Sequence, residues 1–474
     1  MKRFLLLFIF GLAATLAFAQ SDDDLFGGSD DDLFGDDSII EVSDVTAKND
    51  LSKGVIFDSG SIKVGGSLTA GLSTNTILYS PDNDDLGENI KNTTLTPDLS
   101  ALLSVDARPT ETLRIYTKFG FAYPFKDNLS GYLKYGTTDD FLGFDSDMQP
   151  MFGKKADMSI TDWFKLKELF TDFSVNDRAF FRFGVHTVTW GAGYFFSPVS
   201  DMINTSSIDP ENPEKQVDGA LNLRTQIVFP GSQNCLWFYV IPSTKFNNQT
   251  AESYARDTAL AGKVDILIGN WEFGVGGFYK YQNAPKAMLT ATGSLKKVSF
   301  FGEVVYSYGA NQEWALNNEW DDKTNIIQAT AGLSYYWKDP MITLAAQYYF
   351  NGNDVDPAKY ILYGNNIAAM ANFGKILGNK DFTASLFAIA NFGRKDLDNS
   401  IIEIKKTAES SGKKEIADTI DALSGISLTA NAMIYYSPIN DLKFGMGPVL
   451  TFKTFDENPT LSMKLTATLG GGKF

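Results

Sequence analysis

The chain has one cysteine, Cys235, and one histidine, His186. A lone thiol closes no internal disulfide, so hydrogen bonds and packing must hold the fold. One imidazole and one thiol cannot build a cysteine–histidine zinc cluster, and no GxSxG or HExxH stretch occurs. The chain therefore reads as a non-enzyme without metal or cofactor. Beyond residue 19 there is no run of about 18 apolar residues, which excludes a transmembrane helix. The net charge is −16 and no stripe of basic residues stands out, so nucleic acid is a poor partner.

What is present begins with an address. Residues 1–19, MKRFLLLFIFGLAATLAFA, carry Lys2 and Arg3, then an apolar run, then Ala17 and Ala19 before Gln20. This pattern predicts a cleaved secretory signal. Residues 20–60 follow as an acidic segment in which the heptapeptide SDDDLFG occurs twice. From residue 20 to 50, eleven carboxylates face Lys48 alone. Such a composition buries no core, so disorder is expected. The segment reads as a periplasmic tether with a partner for the repeats, an acidic plug for a basic lumen, or a solubilising leader. The remaining domain is 61–474.

That domain alternates apolar and polar residues repeatedly. In LSMKLTATL, Leu461, Met463, Leu465, Ala467 and Leu469 share one face, and Ser462, Lys464, Thr466 and Thr468 the other. Eighteen such strands are expected, starting near residues 62, 99, 113, 166, 179, 221, 235, 259, 271, 287, 298, 326, 342, 367, 382, 426, 442 and 461, with sixteen as the alternative count. Their connectors alternate long and short. Strict long–short alternation is expected of an all-β, antiparallel up-and-down transmembrane barrel with both chain ends in the periplasm, and Greek-key sandwiches scramble it. Residues 400–424 break the pattern. Ile401, Ile402 and Ile404, then Ile416, Ile420 and Leu423, have helical spacing on either side of Gly412, predicting short helices in an outer loop that either constricts or caps the mouth or stands outward as a lid or adhesive loop.

Residues 166–204 contain Arg182-Phe183-Gly184, Trp190-Gly191, Phe196-Ser197-Pro198, Asp201 and Ile203-Asn204. This stretch resembles alginate-export-like porins, although His186 stands where that pattern has Gln. The DDDLFG repeats look like those of spirochaete outer-membrane proteins, and Phe474 resembles the terminal aromatic read by the outer-membrane assembly machinery. The resemblance implies an eighteen-stranded pore for a small or polymeric solute.

Strand parity assigns the lumen. With residues 176–178 as a turn, Asp172 is expected opposite Arg182 and Glu168 opposite His186, and Trp190 and Arg224 also face inward. Because the last strand of a barrel pairs with the first, Lys443, Lys464, Lys63, Arg108, Arg114 and Lys118 are expected on five neighbouring strands as one basic wall. Such a wall raises the local concentration of anions. The expected function is an outer-membrane porin for small hydrophilic, anionic solutes. The alternative is a surface adhesin or ligand-binding barrel with a plugged lumen, its loops binding host or matrix molecules.

Overall fold

The computed structural model describes residues 57–58, 60–81, 85–123, 164–176, 178–204, 207–208, 210, 217–244, 250–353, 363–392, 427–439, 441–452 and 458–473. The signal-like stretch, the acidic repeats, the helical spacing at 400–424 and Phe474 lie outside them.

Eighteen strands form one antiparallel ring. They are β1 Ile62–Tyr79, β2 Thr94–Thr110, β3 Leu113–Ala122, β4 Phe164–Val175, β5 Ala179–His186 and β6 Ala220–Val228. Next come β7 Cys235–Ile241, β8 Ala259–Ile268, β9 Trp271–Tyr279, β10 Lys286–Leu295, β11 Val298–Tyr308 and β12 Asn325–Trp337. The last six are β13 Ile342–Asn351, β14 Gly364–Phe373, β15 Phe382–Phe392, β16 Ser427–Ile439, β17 Leu442–Phe452 and β18 Thr460–Lys473. A two-residue stub, Phe57–Asp58, pairs with the start of β1. Every strand pairs with its neighbours in sequence, and β18 closes the ring on β1, for example through Leu465↔Thr74 and Thr468↔Gly71. The expected count of eighteen holds, and closure leaves no free sheet edge.

Connectors alternate in length around the ring. One rim carries the tight turns, such as residues 111–112, 269–270 and 296–297. The other rim carries the long ones, which hold three short helices: α1 Leu86–Lys91, α2 Ala251–Asp257 and α3 Asn311–Leu316. The period-2 pattern places Leu68, Phe273, Val275, Leu289, Phe444, Met446 and Leu465 on the outer surface, all exposed. An apolar band on the outside of a closed ring suits contact with acyl chains, where every backbone donor and acceptor must already be paired.

The packed interior is inside the ring. One buried cluster joins Val188, Trp190, Val199 and Ile203 to Tyr239, Ala261, Met288 and Val305. A second joins Phe195 and Phe196 to Ala345, Tyr349, Ala368 and Phe387. Both are built on residues 188–203, so this segment has left the wall and entered the lumen.

Candidate functional site: the lumen and its inward segment

Strand β5 stops at His186, and Thr187–Asn204 turns into the barrel. The local sequence explains the change. Trp190-Gly191-Ala192-Gly193 and Ser197-Pro198 interrupt a strand, since two glycines relax the backbone and proline supplies no N–H to a ladder. A Cβ on Gly191 would stand 2.2 Å from Glu303 Oε1, and one on Gly193 1.8 Å from the Phe196 carbonyl oxygen. Only glycine permits these approaches. Asn204 closes the base of the loop: its Oδ1 accepts from Val188 N–H and its Nδ2 donates to the Val188 carbonyl, both at 2.8 Å. Ser200, in a single 3-10 turn Ser200–Met202, accepts from Trp190 and Gly191 N–H at 3.2 and 3.0 Å.

The wall fastens the segment at three points. Lys263 on β8 donates to the Trp190 carbonyl at 3.0 Å and pairs with Asp265 at 2.9 Å. Glu303 on β11 accepts from Gly193 N–H at 2.6 Å, Val199 N–H at 3.1 Å and Ser197 Oγ at 3.0 Å. Gln347 Oε1 on β13 accepts from Tyr194, Phe195 and Phe196 N–H at 3.1, 2.7 and 3.3 Å, while its Nε2 donates to the Phe196 carbonyl at 2.6 Å. Aromatic contacts complete the seating. Trp190 meets Tyr239 edge to face at 4.7 Å, and Phe196 stacks on Tyr349 at 5.2 Å. Fully burying a side chain of the size of Phe195 contributes about 2–3 kcal/mol.

The segment therefore covers the lumen face of β7 to β15 and, among the described residues, leaves the arc β17–β18–β1–β2–β3 uncovered. On that arc Lys63, Arg108, Lys443 and Lys464 are exposed, and Arg114 and Lys118 half-buried. Acids share the same wall. Lys63 is the ladder partner of Asp106, and Asp106 also pairs with Arg114 at 3.0 Å and Arg108 at 3.5 Å. Lys118 lies opposite Glu168. Lys443 sits 4.0 Å over the Tyr435 ring, and Lys464 opposite Asn75 and Gly447.

From β3 to β6 the ladder sets Arg114, Asp172, Arg182 and Arg224 in one row. Arg182 grips Asp172 with two bonds, Nε at 2.6 Å and Nη2 at 3.1 Å, and Arg114 approaches the same carboxylate at 3.8 Å. The guanidiniums also lie on rings: Arg182 on Phe170 at 4.0 Å and Arg224 on Trp237 at 5.5 Å. Two cations thus hold one acid, with Arg224 next along the row.

Two residues depart from the expected lining. His186 and Trp190 are 1% and 4% exposed: His186 ends its strand against the Phe170 ring, and Trp190 belongs to the inward segment's own buried cluster. Trp190 stands on that segment and not on a strand. Glu168 lies one ladder step beyond Leu169↔Val185 and so faces the His186 position, yet among the described residues no hydrogen bond joins Glu168 to the imidazole. The imidazole instead meets the Phe170 ring edge-on at 5.9 Å. Among the described residues, no group of three or more His, Cys, Asp and Glu is placed to hold a metal ion.

The residues that sequence reading left without a role are Glu303, Gln347 and Lys263. Their signal was a charge or amide on the inward parity of an otherwise apolar strand. The segment they bind is 73 to 153 positions away in the chain.

No family model matches the chain, and no curated protein shows significant similarity. The likeness to alginate-export-like porins and spirochaete outer-membrane proteins thus rests only on the residues quoted above. Among solved structures, OccK3 (OpdO) of Pseudomonas aeruginosa shares 8% identity over 85% of this chain and 95% of its own, with a TM-score of 0.46. The outer membrane protein OpdK of Pseudomonas aeruginosa shares 7% over 86% and 98%, with a TM-score of 0.47. A mutant of the Rh. blastica porin shares 11% over 86% and 99%, with a TM-score of 0.39. The fold is established by the strand ladder itself.

Proposed function

We propose that the chain is a bacterial outer-membrane channel for passive passage of small hydrophilic, anionic solutes. One observation carries this reading: the inward segment packs on β7 to β15, and the arc left uncovered among the described residues bears Lys63, Arg108, Arg114, Lys118, Lys443 and Lys464. An off-centre passage beside a low-dielectric filling focuses the field of those cations and concentrates anions. Asp106, Glu168 and Asp172 offset part of the charge, so the preference is moderate. In this reading the short-turn rim, the signal-processed acidic segment 20–60 and any partner of its repeats are periplasmic. Phe474 serves the assembly machinery.

Reversal potential in planar bilayers under a KCl gradient tests the selectivity. A sign corresponding to anion preference is expected, and cation preference ends this reading. Liposome swelling with small sugars tests passage itself. The alternative of a ligand-binding surface barrel draws on Trp320, which is 67% exposed on the long-connector rim and stacks on Tyr308. Liposomes that admit no sugar would favour it.

A further inference from the structure

The inward segment turns its backbone donors toward one wall side chain. Glu303 is 1% exposed, and each contact named for its carboxylate is a donor: Gly193 N–H, Val199 N–H and the Ser197 hydroxyl, which reaches Oε1 at 3.0 Å and Oε2 at 3.3 Å. The adjoining residues behave differently. Tyr194, Phe195 and Phe196 present three N–H groups and one carbonyl to Gln347, and an amide answers both kinds. A carboxylate at 347 would face the Phe196 carbonyl, and an amide at 303 would turn an NH2 onto N–H donors. The two wall residues are therefore matched to their sites by hydrogen-bond chemistry as well as by size. The absence of a side chain on Gly191 allows the backbone to close around Glu303, and its absence on Gly193 lets the chain double back on Phe196 and Gln347. Residues 191–199 thus form a cup of donors for an anion, and the wall supplies the anion.

We infer that Glu303 is a positioning residue for permeation: its carboxylate fills an anion cup in residues 191–199 and so fixes the width of the passage, and the emptied cup takes a small free carboxylate in its place. The inference rests on the channel reading above. Truncation at Cβ removes the equivalent of an acetate ion. Acetate is therefore the probe, with acetamide as its neutral match.

The test is single-channel conductance and sugar cutoff of the full-length protein and E303A, in chloride and in acetate at equal ionic strength. In chloride, E303A conducts more than the native protein, with a broader distribution, and liposomes swell in larger sugars. Acetate returns E303A toward the native value measured in the same solution, and acetamide does not. E303Q conducts like E303A but does not respond to acetate, since its amide still occupies the cup. Native conductance and cutoff in E303A overturn the inference, as does a widened channel on which acetate and acetamide act alike. Should E303A fail to assemble, G191A serves instead, because its new Cβ would stand 2.2 Å from the carboxylate oxygen. A widened channel then supports the inference and a native one overturns it. A native protein that passes no solute sinks the channel reading. A conducting native protein with an unresponsive E303A sinks only the role of Glu303.

Discussion

The lumen has two unlike halves. From β7 to β15 the polar residues under the inward segment are buried and matched by type: Lys263 with a carbonyl and a carboxylate, Glu303 with donors, Gln347 with both. From β17 round to β3 they are wet and loosely shared, with Asp106 serving Arg108 and Arg114 together. The contrast teaches that a charge inside a barrel has no fixed meaning. Under the inward segment a charge is a fastener, costly to leave unpaired. Facing water it is worth little to stability and, in the proposed channel, acts instead on passing ions.

Substitutions break or sharpen this contrast. The largest effect is expected from F195A. Phe195 is fully buried among Ala345, Tyr349, Ala368 and Phe387, and its loss should cost about 3–5 kcal/mol. Protease cleavage within 187–204 should then become rapid while the ring stays closed; unchanged resistance would show that the segment is held elsewhere. Q347L orphans three N–H groups and should cost about 3 kcal/mol, read in the same way.

On the wet side the readout changes. Replacing Lys443 and Lys464 together by Gln should leave stability untouched and lower the anion-to-cation permeability ratio about threefold. An unchanged ratio would move selectivity to the arginine row. D106N should shift that ratio the other way by a smaller factor.

The smallest effect concerns the lobe at residues 309–324. Burial works against ionisation of Glu313, but hydrogen bonds from Thr324 and from Ala310 N–H outweigh it and hold the carboxyl below its ordinary value of 4.5. The stabilisation is therefore present above that ordinary value and is lost as pH falls through the lowered one. Tryptophan emission from Trp314 and Trp320 should stay constant from neutral pH down to about that ordinary value and change only in stronger acid. A transition near neutrality would contradict the assignment.

The ring was legible in the sequence because its rule is local. Side chains alternate, and turns such as Gly269-Asn270 and Lys296-Lys297 punctuate the strands, so all eighteen starts could be placed. The largest errors fell at polar strand ends: β2 begins at Thr94 and not near Leu99, and β14 at Gly364 and not near Ile367. Alternation fades where a strand rises beyond the apolar band. Residues 187–190 misled for the opposite reason. Thr187, Val188, Thr189 and Trp190 continue the strand parity after the ladder has ended, and only Gly191, Gly193 and Pro198 spoke against it. The inward parity of Glu303 and Lys263 was legible, yet nothing local tells a wet position from one under a folded-in segment. That distinction depends on a partner more than 70 residues away.

The bond between β18 and β1 runs through the wet arc, where Lys464 stands opposite Asn75. A cylinder still open along this line would have its unmatched amides and carbonyls hydrated from within, so an unfinished seam carries a smaller penalty there than anywhere along β7 to β15. The join between the two ends of the sheet has thus been placed where solvent can stand in for a missing neighbour.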